Sequence, residues 1–188
     1  MGEVRLLPIG FGVGDMWADD ADSARLGSHV IRAGGEFVQL GPLSYDIWWQ
    51  ARFRRGPGEL VEWVSGQGVP SPATEVETLL SRGLLVVLRR DLRPFAREHR
   101  MTSTGLGGGR QGDGTMLVLG ADTRPLLQVD PVTYLAWSLA DGSTVGEIAG
   151  QIAGNDPSHL ERVLTLLAEA LPVLVAHGAV IVDRRAVR

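Results

Sequence analysis

The chain has 188 residues, of which 44% are hydrophobic and 21% are charged, a composition typical of folded globular domains. It contains no cysteine, which excludes disulfides, thiolate metal sites and cysteine nucleophiles. The formal net charge of −4 argues against a protein whose main task is to coat nucleic acid. No apolar run reaches the ~18 residues of a membrane span, and the first residues lack a signal-peptide pattern. We therefore expect a cytoplasmic protein with no membrane partner.

The first predicted segment, residues 1–26, is an acidic N-terminal extension. It contains the glycine-rich run Leu6–Asp15, which imitates the phosphate-binding turn of nucleotide-binding enzymes. No βαβ unit of ~30 residues follows that run, as such a turn requires. The acidic residues of the extension also lack the glycine and the closing glutamate of a calcium loop. We interpret the extension as an additional strand or an arm.

The second segment, residues 27–91, is predicted to fold as a hairpin, three helices and a closing strand. Two apolar runs flank Ala33–Glu36, the pattern of a β-hairpin. Pro42, Pro57 and Pro72 each suit the first position of a helix, where the missing N–H costs nothing. Gly83 is a natural helix stop, and an apolar strand follows it.

The third segment, residues 92–114, is predicted to be a linker. Its first part is rich in arginine, and its second part is rich in glycine, a composition typical of flexible chains.

The last segment, residues 115–188, repeats the order of residues 27–91. Asp130 is a good helix cap before Pro131, and Thr144 with Glu147 forms a capping box. A third helix starts near Asp156, and Gly178 stops it before another apolar strand.

The two segments also share residues in register. Gln39, Pro42, Tyr45 and Trp48 of the first copy correspond to identical residues of the second copy, Gln128, Pro131, Tyr134 and Trp137. Because caps, prolines and glycine stops recur in the same order, we predict an α+β protein made of tandem winged helix-turn-helix units. The alternative is one α+β domain with a coincidental internal echo.

The second copy resembles the PqqD-like family of peptide chaperones, also called RiPP recognition elements. The resemblance rests on residues Leu126–Gly154, above all on Asp141–Ile148, and on Leu166–Val182. It implies that the protein binds the leader peptide of a ribosomal natural product as an added strand, and that a peptide-modifying enzyme is a partner. The residues it implies for peptide binding are Leu117, Val118, Leu119, Leu126, Leu127, Gln128, Val129 and Arg162.

Two other functions remain open. The first alternative is a winged-helix transcriptional regulator, whose third helix reads DNA while basic residues contact phosphates. Its DNA contacts would be Arg82, Arg89, Arg90, Arg93, Arg97 and Arg100. The second is a structural adaptor or homodimer formed through exposed apolar surface.

The sequence predicts neither an enzyme nor a cofactor. The four histidines are scattered, and none stands in a metal-ligand spacing with another histidine or a carboxylate. We therefore predict no metal site and no catalytic residues.

Overall fold

The structure, a computed structural model, describes residues 5–16, 28–54, 56–89, 91–154 and 156–185. This part of the chain is a mixed α+β protein. It divides into two compact units, unit 1 extending to Leu88 and unit 2 spanning Arg89–Arg185. No helix among the described residues is long and apolar enough to cross a membrane.

Unit 1 begins with four strands, continues with helices and ends with a strand. The strands are β1 (Arg5–Pro8), β2 (Phe11–Met16), β3 (Ser28–Ala33), β4 (Glu36–Leu40) and β5 (Leu85–Leu88). The helices between β4 and β5 are α1 (Pro42–Gln50), α2 (Pro57–Gly66) and α3 (Pro72–Ser81). A 3-10 turn, Ala51–Phe53, follows α1 directly.

Unit 2 has the same order of strands and helices with two additions. They are a short helix at its start and a short strand between the helices that correspond to α1 and α2. Its helices are α4 (Arg93–Glu98), α5 (Pro131–Ser138), α6 (Val145–Ala153) and α7 (Pro157–Ala176). Its strands are β6 (His99–Ser103), β7 (Leu106–Arg110), β8 (Met116–Leu119), β9 (Pro125–Val129), β10 (Asp141–Thr144) and β11 (Val180–Arg184).

The strands of the two units pair in the same way, except that unit 2 has an additional strand, β10, which pairs with β6 on the side opposite β11. In unit 1, β1 pairs antiparallel with the closing strand β5, and β2, β3 and β4 form an antiparallel meander. In unit 2, β6 pairs with the closing strand β11, and β7, β8 and β9 form the corresponding meander. The first strand of both meanders carries a bulge, at Gly12–Gly14 and at Gly107–Gly109. The internal repeat therefore includes two strands before each hairpin.

This finding corrects two predicted boundaries. Residues 92–114 were expected to be a linker, but they form α4, β6 and β7 of unit 2. Within the extension 1–26, residues 5–16 form β1 and β2 of unit 1, and the remaining residues lie outside the described part. The linker prediction was wrong because a glycine-rich sequence fits a tightly packed strand as well as a flexible linker. A Cβ on Gly107 would overlap the Tyr134 hydroxyl.

The predicted helix caps of unit 2 are confirmed. The Thr144 N–H donates to Glu147 Oε2 at 2.7 Å, and the Glu147 N–H donates to Thr144 Oγ1 at 3.1 Å. The Asp130 carboxylate accepts hydrogen bonds from the N–H groups of Val132 and Thr133. The backbone N–H of Thr144 holds the pKa of Glu147 below its ordinary value. These caps satisfy N–H groups that have no partner inside the helix.

Each unit has a buried tryptophan, on α1 in unit 1 and on α5 in unit 2, that donates a hydrogen bond to a residue next to a strand. The indole N–H of Trp48 donates to the Ile9 carbonyl at 3.0 Å, and that of Trp137 donates to the Ala179 carbonyl at 2.9 Å. Both side chains are buried. A buried indole needs such an acceptor, because an unpaired buried N–H costs free energy. The shared tryptophans are therefore structural.

Candidate functional site

The predicted peptide-binding residues lie on two neighbouring strands of unit 2, and only one of the strands has an open edge. Leu117, Val118 and Leu119 belong to β8, which pairs with β7 on one side and with β9 on the other. Val118 is fully buried. A peptide cannot pair with β8 unless it displaces a neighbouring strand. Of the two strands expected to accept a peptide, β8 is therefore covered on both sides and only β9 lies at an edge.

The strand β9 is an edge strand and holds the other predicted residues. Its four residues after Pro125 are Leu126, Leu127, Gln128 and Val129. Gln128 is exposed and the other three are half-buried. Within the described ranges, only β8 pairs with β9. Among the described residues, the backbone groups that point away from β8 therefore have no strand partner.

The composition of β9 does not protect this edge. Edge strands commonly carry charges, prolines or bulges that prevent pairing with a foreign strand. β9 contains no charged residue, and its proline, Pro125, stands at its first position. The opposite edge of the sheet, β7, is interrupted by a bulge, and Gly109 has a positive φ of 79°. The β8–β9 pairing also shifts register, which makes Leu126 an extra residue of β9, but Leu127, Gln128 and Val129 pair regularly with β8. The β7 strand in addition carries the charged Arg110. Residues 127–129 of β9 are therefore the more suitable acceptor.

Arg162, the last predicted peptide contact, lies on α7 and is exposed. Its neighbour Glu161 accepts two hydrogen bonds from Arg93 of α4, at 2.9 Å from Nε and 2.5 Å from Nη2. These hydrogen bonds raise the pKa of Arg93 above its ordinary value. A shallow cavity beside the ion pair is lined by Asp91, Leu92, Arg93, Glu161, Leu164 and Thr165.

The arginines predicted to contact DNA are distributed over both units. Arg82 follows α3 in unit 1, whereas Arg89, Arg93, Arg97 and Arg100 lie in unit 2 and are exposed. Arg90 lies outside the described residues. One of these cations, Arg93, is already engaged by Glu161.

Unit 1 contains a cluster that the sequence analysis did not single out. The ring of His29 on β3 stacks on Tyr45 of α1, with centroids 4.2 Å apart, and Tyr45 stacks on Trp49 at 6.5 Å. The guanidinium carbon of Arg52 lies 3.6 Å from the centroid of the Trp49 ring. We call these four residues the aromatic stack. The spacing of Tyr45, Trp49 and Arg52, four and then three residues, is a helical signal that was available in the sequence.

The aromatic stack is partly open to solvent. Trp49 is 40% exposed, and the neighbouring Phe53 is 53% exposed. The Nε atom of Arg52 is buried and has no hydrogen-bond partner in the described part of the chain, and the same holds for Arg54. Burial lowers the pKa of Arg52 from its ordinary value, and the nearby Tyr45 opposes this shift. An arginine nevertheless stays protonated in proteins, so Arg52 is a cation with unused donor capacity.

Unit 2 has no equivalent of the aromatic stack. Tyr134 is the counterpart of Tyr45, but Ser138 and Asp141 stand at the positions of Trp49 and Arg52. His29 of β3 pairs with Leu40 of β4. At the corresponding position of unit 2, Met116 of β8 pairs with Val129 of β9, so that Met116 stands in the place of His29. Unit 2 forms the same order of elements without these side chains. The fold therefore does not require them.

No grouping of histidine and acidic residues that could hold a metal ion occurs among the described residues. One of the four histidines, His99, is buried, with Nδ1 3.1 Å from the Phe95 carbonyl and its ring stacked on Phe95. Its burial lowers the pKa of His99 below the ordinary value. This environment fits a structural side chain.

No protein-family model, curated protein or solved structure matches the chain.

Proposed function

We propose that the chain is a non-enzymatic peptide-binding protein made of two winged-helix units, and that unit 2 binds a peptide as an added strand on β9. The observation that carries this proposal is the outer edge of β9, which is uncharged and has no strand partner within the described residues. Backbone hydrogen bonds to such an edge supply affinity, and the side chains beside it supply specificity.

The side chains of β9 favour a peptide with apolar residues at alternate positions. Leu127 and Val129 are half-buried and lie on one face of the strand, where they can extend an apolar contact to a new neighbour. The resemblance to PqqD-like proteins supports the same surface. It also makes Arg162 the residue expected to meet an acidic side chain of the peptide.

The charges of α3 and α7, the helices that would enter the DNA groove, argue against DNA binding. α3 carries Glu75 and Glu77 and no basic residue. α7 carries Glu161 and Glu169 beside its one arginine, Arg162. Negative side chains on a recognition helix would repel the phosphates of a duplex. We therefore rank peptide binding above transcriptional regulation.

Alternate N-methylation of a bound peptide tests the proposal. A random peptide library displayed on phage is selected on the full chain, and the strongest binders are synthesised. We expect one set of alternating N-methyl groups to weaken binding at least about a hundredfold, because a strand pairs with its neighbour through every second residue. The complementary set of N-methyl groups is the matched control and should retain most of the affinity.

Equal losses from both sets would contradict strand addition, since they would show no alternation in the backbone contacts. Tight, steeply salt-dependent binding of duplex DNA, with no peptide selected, would favour the regulator instead.

A further inference from the structure

We infer that unit 1 contains a second binding site, in which Arg52, held on Trp49, binds a carboxylate of an acidic peptide segment and Phe53 contacts an adjacent apolar residue. This site is independent of strand addition to β9, because all its residues belong to unit 1.

The two units share some residues of this region and differ at others. Tyr45 and Trp48 have identical counterparts in unit 2, Tyr134 and Trp137, and these residues pack against the sheet in both units. Trp49 and Arg52 have no such counterparts. An exposed tryptophan under an arginine is therefore not needed to build the unit, and exposed aromatic residues of this kind are enriched at binding sites.

Arg52 has a hydrogen-bond donor without a partner among the described residues. The ring of Trp49 fixes the plane of the guanidinium through a contact of 3.6 Å. The Nε donor is buried and lacks a partner among the described residues. A buried donor without an acceptor is unfavourable, and a carboxylate removes that cost when the side chain shifts on the ring enough for Nε to be reached. Carboxylates match the fork of N–H groups on a guanidinium in a bidentate manner.

The surroundings of Arg52 indicate the class of ligand. The aromatic surface beside Arg52 consists of Trp49 and Phe53, both exposed. Arg54, which directly follows the turn Ala51–Phe53, is a second cation near this surface. Its guanidinium carbon lies 5.7 Å from the Trp63 ring centroid, and its Nη2 donates to Gln50 Oε1 at 3.4 Å. One or two cations next to an apolar surface suit single carboxylates flanked by apolar side chains. A nucleic acid instead requires a row of cations along its backbone, and the chain as a whole has a net charge of −4.

The test compares the wild-type chain with Arg52→Gln in selections from the same phage-displayed peptide library. We expect the wild type to enrich peptides that contain aspartate or glutamate beside an apolar residue. Arg52→Gln should bind the synthetic versions at least about tenfold more weakly, as the loss of a charged hydrogen bond implies. Arg32→Gln is the matched control, because Arg32 is an exposed arginine of β3 in the same unit and should leave affinity unchanged.

A change in the peptide keeps the test decisive if Arg52→Gln does not fold. Replacing the acidic residue of the peptide by its amide should weaken binding to the wild-type chain by the same factor. This measurement needs only the wild-type chain. When Arg52→Gln does fold, the same replacement should have no further effect in that variant, as expected of two groups in one interaction. Binding that depends on a free C-terminal carboxylate, and not on a side chain, would assign the site to peptide ends.

Three results would overturn the inference. They are the absence of acidic residues from the selected peptides, equal affinities of wild type and Arg52→Gln for the acidic ones, and Arg52-dependent binding of labelled oligo(dT) in place of peptides. If Arg52→Gln weakens binding while N-methylation shows no alternation, the proposal for β9 fails and the inference for unit 1 stands.

Discussion

Replacing Gly105 by alanine is expected to destabilise unit 2 by about 3 kcal/mol or more. Gly105 precedes β7 and has a φ of +87°, a conformation that side chains with a Cβ rarely adopt. A Cβ at this position would also overlap the backbone carbonyl of Leu119 on β8, which cannot move without breaking the sheet. Gly10 of unit 1 occupies the same situation, with a φ of +86° and Arg32 as the obstructing carbonyl.

Urea denaturation followed by circular dichroism measures this effect. Gly112→Ala is the matched control, since no atom lies within 4 Å of its added Cβ and no positive φ is involved. Its stability should stay within about 0.5 kcal/mol of the wild type. A similar small change for Gly105→Ala would show that residues 104–110 are the flexible linker that their composition suggests.

The adjacent tryptophans of α1 are expected to differ strongly when each is replaced by alanine. Trp48→Ala should cost about 3–5 kcal/mol, because it leaves a cavity and removes the donor of the Ile9 carbonyl. Trp49→Ala should cost clearly less, about 1–2 kcal/mol, since Trp49 is 40% exposed and loses its contacts with Arg52 and Tyr45.

The same two variants separate structure from function. Thermal unfolding should show a large decrease in the melting temperature for Trp48→Ala alone. Trp49→Ala should instead reduce the binding of acidic peptides, because Arg52 loses the ring that orients it. Comparable destabilisation by both changes would mean that Trp49 belongs to the core of unit 1, and its exposure would then have no functional meaning.

Much of the fold could be predicted from the sequence. Helix starts are local signals, and Asp130 and the pair Thr144 and Glu147 form caps as expected. The glycines that stop the third helices, Gly83 and Gly178, have the positive φ that this role requires. Such signals depend on a few neighbouring residues and not on distant contacts. The description of the two units as winged helices stays a prediction.

An additional strand in residues 1–26 was one of the expectations, but the pairing of the strands before each hairpin could not be predicted, because it is non-local. β1 pairs with β5, whose residues lie far along the chain, and β6 pairs with β11 in the same manner. In β7 the role of Gly107 depends on Tyr134, a contact that composition does not reveal. The charge of residues 92–100 indicated a solvated linker, yet Phe95 and Ala96 of α4 are buried.

The candidate sites were predicted only in part. The resemblance indicated the hairpin of β8 and β9, but only the sheet order distinguishes the edge strand β9 from the covered strand β8. The aromatic stack was not predicted, because the two copies were compared through their identical residues. Residues that are identical in both copies mostly serve the fold that the copies share. Trp49 and Arg52 are informative for the opposite reason, since they differ between the copies.

Hydrogen–deuterium exchange of the full chain, with and without a selected peptide, tests the central claim most directly. Strand addition predicts that the peptide slows exchange of amides within Leu126–Val129, because new hydrogen bonds form on the outer edge of β9. Amides of β8 are paired on both sides already and should change little. Unchanged exchange in β9 with a bound peptide, and slower exchange elsewhere in the chain, would contradict the account.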